Sequence, residues 1–260
     1  MISRRSVLLA LPSLFMMKAF AKKSDSQIIR VVYHPDIAPY SFQYTDQHSP
    51  QGILVDLINA LSPALNLTTD HTSYPWKRAQ LMVASGKLDA FCCPMNATRE
   101  RYAVFAPTPI IRLQKQVVFF NPNGPNANAI KNAQRIEDFH SFKTATFFGN
   151  TSHELIWKAH PGVIKVARIE QILMLLARGR IDFYFADPLV TNYKIKKLKL
   201  ENQLASAALG NIIHQDNVTE MCFGLRRSYP NADQLIKKID ASIQQVITPS
   251  LRQEVISRYM

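Results

Sequence analysis

Apolar positions along the chain alternate between two periods. Ile28 to Tyr33 (IIRVVY) is a short β-branched run, the pattern of a buried strand. From Gly52 to Leu65, residues Leu54, Leu57, Ile58 and Leu61 recur at helical spacing. Trp76, Ala79 and Val83 repeat that stripe until Gly86 stops the helix. Leu88 to Cys93 (LDAFCC) is again a short apolar run, and Gln116–Phe120, Thr144–Phe148, Ile181–Ala186 and Thr219–Leu225 also read as strands. Ile169, Ile172, Leu173 and Leu176 mark another helix, and Asp233–Ile247 a closing amphipathic one. Strands alternating with helices predict an α/β fold in which parallel strands are covered on both faces.

One segment occurs twice. Ser85-Gly86-Lys87-Leu88-Asp89-Ala90-Phe91 is echoed by Arg178-Gly179-Arg180-Ile181-Asp182-Phe183-Tyr184, 93 residues later. Each copy follows an apolar-striped helix and leads into a short hydrophobic strand. The glycine suits a left-handed helix stop, and the basic residue beside it favours the negative helix end. The repetition predicts two α/β lobes of similar plan. Asn121-Pro122-Asn123-Gly124-Pro125 cannot continue a helix or a central strand, and it reads as the passage between them.

The first 21 residues stand apart. Arg4 and Arg5 precede a mostly apolar stretch, Ser6–Met17, too short to span a bilayer, and Ala19-Phe20-Ala21 has small residues where a signal peptidase reads. This predicts an export signal cleaved after Ala21, by either the general or the twin-arginine route, and a periplasmic mature protein. No Cys at that point indicates a lipid anchor. Losing Arg4, Arg5 and Lys18 lowers the net charge from +12 to +9. A basic exported protein favours an anionic partner, such as a carboxylate ligand or an acidic membrane surface, rather than nucleic acid. The densest basic run, Lys194, Lys196, Lys197 and Lys199, reads as a solvated helix face. Cys92, Cys93 and Cys222 are either buried small hydrophobes or a source of one disulfide to Cys222.

In open α/β sheets, ligands gather at strand carboxyl ends and helix N-termini. Three places qualify: Pro94–Arg101 after the Leu88–Cys93 strand, Gly149–Glu154 after the strand near Thr144, and Asp187-Pro188 after Ile181–Ala186. Thr151 with Glu154 has capping-box spacing, Asp187 can cap a helix opened by Pro188, and Arg101 can form a bidentate pair with a carboxylate. No spacing suggests a bound metal or cofactor, and no nucleophile elbow or phosphate loop occurs.

Gly52-Ile53-Leu54-Val55-Asp56-Leu57, Trp76 to Arg101, Gly149-Asn150-Thr151, and Gly179 to Asp187 together resemble the bacterial extracellular solute-binding proteins of family 3. The resemblance spans Ile28 to Met260. It implies a two-lobed, hinge-linked α/β periplasmic-binding-protein fold of type II, with two parallel or mixed sheets flanked by helices. Lobe 1 would be discontinuous, residues 22–117 and 216–260, and lobe 2 would be residues 118–215. By position, Arg101 would hold a ligand carboxylate, Thr151 would share it, and Asp187 would receive a ligand ammonium. Trp76 would wall the pocket, and Asn96 stands where a small hydroxyl residue is common. Ile37 departs from the usual aromatic wall, so Tyr40 and Phe42 either replace that wall or belong to the core.

The resemblance implies a monomeric periplasmic receptor, without catalysis or cofactor, that captures a small polar ligand, an amino acid or related carboxylate, in an inter-lobe cleft for an ABC permease. A cyclohexadienyl dehydratase-like enzyme and a ligand-sensing receptor are alternatives on the same scaffold.

Overall fold

The computed structural model describes residues 27–44, 48–148, 157–158, 160–209 and 219–259. The leader and Thr151 lie outside these residues. The first sheet has the order β4-β1-β5-β13-β6. Its strands are β1 (Gln27–Tyr33), β4 (Leu67–Ser73), β5 (Ala90–Cys93), β6 (Ala103–Phe105) and β13 (Glu220–Arg226), with β7 (Ile111–Arg112) also paired to β13. β1, β4 and β5 run parallel, connected through α1 (Ile53–Leu65) and α2 (Trp76–Ala84). β13 returns antiparallel beside β5. The small hairpin β2 (Asp36–Ile37) and β3 (Ser41–Phe42) follows β1.

The second sheet has the order β10-β9-β11-β8-β12. Its strands are β8 (Val117–Phe120), β9 (Thr144–Phe147), β10 (Val163–Val166), β11 (Phe183–Ala186) and β12 (Ala205–Ala208). β9, β10 and β11 are parallel, and β8 is antiparallel to β11 and β12. Helices α4 (Ala127–Asn132), α5 (Ile169–Ala177) and α6 (Pro188–Leu198) belong to this half of the chain, as does the 3-10 turn Ile136–Phe139. The chain crosses between the sheets between Arg112 and Val117, ahead of the Asn121–Pro125 string rather than at it. It finishes against the first sheet with α7 (Ala232–Val246) and α8 (Pro249–Ser257).

The repeated segment folds the same way twice. Gly86 and Gly179 take φ of 79° and 63°, the left-handed turn that ends α2 and α5. Each following aspartate then clamps the central strand of its sheet. The Asp89 N–H donates to Arg30 O (2.9 Å) while the Asp89 carboxylate accepts from Arg30 N (3.0 Å). The Asp182 N–H donates to Lys143 O (2.8 Å) while its carboxylate accepts from Lys143 N (2.7 Å). Asp89 adds ion pairs to Arg30 and Arg226, so one buried carboxylate ties β1, β5 and β13 together.

Packing follows the apolar stripes. Leu54, Leu57, Ile58 and Leu61 of α1 are buried, as are Ile169, Ile172, Leu173 and Leu176 of α5. An aromatic cluster of Phe139, Phe183, Phe185 and Trp157 fills one face of the second sheet. Gly224 sits where a Cβ would come within 2.7 Å of both the Phe91 and Phe105 rings. The three cysteines are free and buried, with Cys93 directly opposite Cys222 across the β5–β13 pair.

Candidate ligand site

The strands β1, β4 and β5 are parallel, so their carboxyl ends share one edge of the first sheet. Tyr40 follows β1, Trp76 follows β4, and Asn96 and Arg99 follow β5. Asp187 stands at the carboxyl end of β11 in the second sheet. The Tyr40 hydroxyl donates to Asp187 Oδ2 at 3.2 Å, so the two carboxyl-end edges face each other.

Tyr40 is fixed by the start of α1. Gly52 takes φ 127°, and a Cβ there would lie 2.6 Å from Tyr40 O and 2.8 Å from Pro39 O. Only glycine lets those carbonyls come close enough to accept the free N–H groups of Ile53 and Leu54, both at 2.9 Å. The Gly52-Ile53-Leu54 string thus anchors the loop that carries Tyr40.

After β5 comes a single helical turn, α3 (Ala97–Glu100). Asn96 caps it, its Oδ1 accepting from Arg99 N at 2.9 Å. Arg99 and Arg101 are two residues apart, so they leave such a turn on opposite sides. Arg99 is half-buried and lies over the Trp76 ring, its Cζ 5.4 Å from the ring centroid. Its Nε donates to Gln80 Oε1 (3.0 Å) and its Nη1 to Pro94 O (2.6 Å). Two of five guanidinium donors are thereby used, and the terminal fork keeps N–H groups for a ligand. Trp76 is itself seated edge-on against Phe91, with centroids 6.1 Å apart. Arg101 is exposed and makes no hydrogen bond or ion pair with the described residues.

Asp187 is the N-cap of α6, its Oδ1 accepting from Leu189 N (2.8 Å) and Val190 N (3.0 Å). Burial pushes the Asp187 carboxyl above the ordinary carboxylate range, even though these hydrogen bonds pull the other way. Burial and the Asp187 carboxylate likewise raise the Tyr40 phenol.

Beside this pair, Lys194 departs from the solvated face its neighbours form. Lys196, Lys197 and Lys199 are exposed, but Lys194 is 4% exposed. Its Nζ donates to Asp36 Oδ1 of the hairpin at 2.8 Å and to Glu170 Oε1 at the start of α5. A buried ammonium needs such partners, and here they come from both lobes. Tyr44 and Tyr193 add a hydroxyl contact of 3.0 Å across the same interface.

Comparison with known proteins decides the family: the profile of the bacterial extracellular solute-binding proteins, family 3, matches residues 29–260. The chain belongs to that family. Curated proteins give no match to this family 3 chain. Among solved structures it resembles a histidine kinase sensor domain with similarity to periplasmic binding proteins, at TM-score 0.70 and 18% identity, covering 90% of this chain and 96% of that one. The substrate-binding protein of an amino acid ABC transporter gives TM-score 0.64 and 18% identity, covering 90% and 99%. An ancestral amino-acid-binding protein, a precursor of cyclohexadienyl dehydratase, gives 0.67 and 18%, covering 89% and 95%. At these identities the likeness shows a shared periplasmic-binding-protein fold. Among the described residues, no helix is long and apolar enough to cross a membrane, and no group of three or more His, Cys, Asp or Glu could hold a metal ion.

Proposed function

We propose that this family 3 protein is an exported receptor that captures a small carboxylate-bearing solute between its lobes and delivers it to an ABC permease. The observation that carries this reading is Arg99: a half-buried guanidinium on an aromatic ring, with donors to spare, at the edge that faces the second lobe. A planar fork held by stacking and two hydrogen bonds is organised to bind a carboxylate in a bidentate way. Trp76 walls the site, Asn96 fixes the turn that aims Arg99, and Tyr40 and Asp187 join the lobes behind the ligand. Thr151 is proposed, on the family resemblance alone, to share the carboxylate. Arg101, which that resemblance singled out, is exposed and makes no hydrogen bond or ion pair with the described residues.

The test is a thermal-shift screen of small acids followed by calorimetry on Arg99→Met and Arg101→Met. Removing Arg99 strands an anion in a largely dry site, a loss of about 3–5 kcal/mol, or roughly two to nearly four powers of ten in affinity. Arg101→Met should change affinity less than about fivefold. The reverse pattern restores Arg101 as the anchor, and no effect from either removes the carboxylate clamp. Export is part of the same proposal, and the purified periplasmic protein should begin at Lys22. A second reading, a sensor that docks on a membrane kinase, is favoured by the likeness to a histidine kinase sensor domain. Loss of ligand uptake on deleting the gene supports the permease. Turnover of prephenate by the purified protein would instead make it an enzyme.

A further inference from the structure

Among the described residues, three carboxylates stand where the two lobes meet, Asp36, Glu170 and Asp187, and the chain itself engages each of them. Asp187 spends Oδ1 on the Leu189 and Val190 N–H groups and Oδ2 on the Tyr40 hydroxyl. A carboxylate offers about four lone-pair sites, and these three donors engage both of its oxygens. Asp36 and Glu170 share the buried ammonium of Lys194. Glu170 Oε2 carries no hydrogen bond, but it belongs to the carboxylate that Lys194 already holds. A second cation there would sit beside a like charge. Among the described residues at this edge, Arg99 is a half-buried cationic group that keeps open donors.

From this geometry we infer that the site takes a small organic acid without an ammonium or guanidinium group, rather than an α-amino acid. The inference rests on the receptor reading above and narrows its ligand class. An α-ammonium brought between the lobes would have to displace Tyr40 from Asp187 or compete with Lys194. Either event leaves a polar group unpaired in a site closed to water, whereas an amine-free acid disturbs neither. The receiving role that resemblance assigned to Asp187 is thereby filled from within the chain, by a helix cap and a tyrosine.

Matched pairs test this directly: succinate with L-aspartate, glutarate with L-glutamate, hexanoate with L-norleucine, and 3-phenylpropionate with L-phenylalanine. Calorimetry on the wild type should find the amine-free member at least tenfold tighter in whichever pair binds. Equal or tighter binding of the amino acid overturns the inference and leaves the receptor reading intact. Binding by no member of any pair overturns both. Tyr40→Phe frees Asp187 Oδ2 and should shrink the preference about tenfold, and an unchanged preference in the folded variant counts against the inference. Should Tyr40→Phe not fold, Asp187→Asn takes its place, because asparagine also caps a helix. In that variant the amino-acid member of the pair should lose no more affinity than the amine-free member. A selective loss for the amino-acid member would mean that the Asp187 charge receives the ammonium, which overturns the inference.

Discussion

Asp89 offers the sharpest test of how the first lobe holds together. Its side chain is 3% exposed and accepts from Arg30 N (3.0 Å), Arg30 Nε (2.8 Å), Arg30 Nη2 (2.9 Å) and Arg226 Nε (3.0 Å). Asp89→Asn keeps the shape, removes the charge and turns an amide NH2 toward two guanidinium groups. Breaking a fully buried pair costs about 3–5 kcal/mol. Arg30 is 42% exposed and Arg226 17%, so water screens the first pair and the expected loss falls to about 3 kcal/mol. For a protein of this size that lowers the melting temperature by roughly 6–12 °C.

The pH dependence fixes the cause. Burial alone would raise the Asp89 carboxyl, but the Arg30 and Arg226 hydrogen bonds outweigh it and hold the carboxyl below its ordinary value of 3.8. A depressed folded value means stability that is fully present above pH 3.8 and lost as pH falls through the folded value. Scanning calorimetry of wild type and variant should therefore show the full difference at pH 7, shrinking below about pH 4. Asp182→Asn is the internal comparison. Asp182 accepts from the Lys143 and Asn126 N–H groups, with no cationic side chain among the described residues paired to it, so about 1–2 kcal/mol is expected. A difference under about 2 °C for Asp89→Asn at pH 7, or an equal loss for both variants, refutes the ion-pair account.

Two further outcomes are expected. Burial pushes the thiols of Cys93 up to about 12 and Cys222 up to about 11, and Cys92 well above its ordinary value, so the native protein should resist iodoacetamide at about pH 8 and show three reactive thiols once denatured. Recovery of one thiol would instead place a disulfide between Cys93 and Cys222, which the strand register sets opposite each other. Gly224→Ala drives a methyl into the Phe91 and Phe105 rings, 2.7 Å away, and should cost about 1–3 kcal/mol in urea unfolding; a neutral result would mean the two rings move aside freely.

Elements with a buried stripe were legible from the chain: α1, α2 and α5 follow their apolar periods, and β1, β5 and β11 their short apolar runs. The edge strands were not. β4 reads LTTDHTS and β10 reads VIKV, because an edge strand buries too little to leave an apolar signature. α8 follows α7 after two residues, signalled by a Thr248 cap and Pro249 at the first turn. The motifs pointed to Arg101 as the carboxylate anchor, and the function proposed above moves that role to Arg99. Their spacing in sequence is two residues in a turn too short to have a periodic face, and it is the Trp76 ring, the Gln80 amide and the Pro94 carbonyl that distinguish them.

Lys194 shows where local reasoning stops. Its period was readable: Val190, Thr191, Lys194 and Ile195 are all buried, the spacing of one helix face. Its chemistry pointed the other way, since lysine in a basic run belongs in water. The conflict is settled by two acids far off in the chain, Asp36 on the hairpin and Glu170 on α5. A period conflict of this kind in a helix is a sign that a charged residue has a tertiary partner. Here both partners stand at the meeting of the lobes, so the residue that broke the pattern also bears on which ligands the site admits.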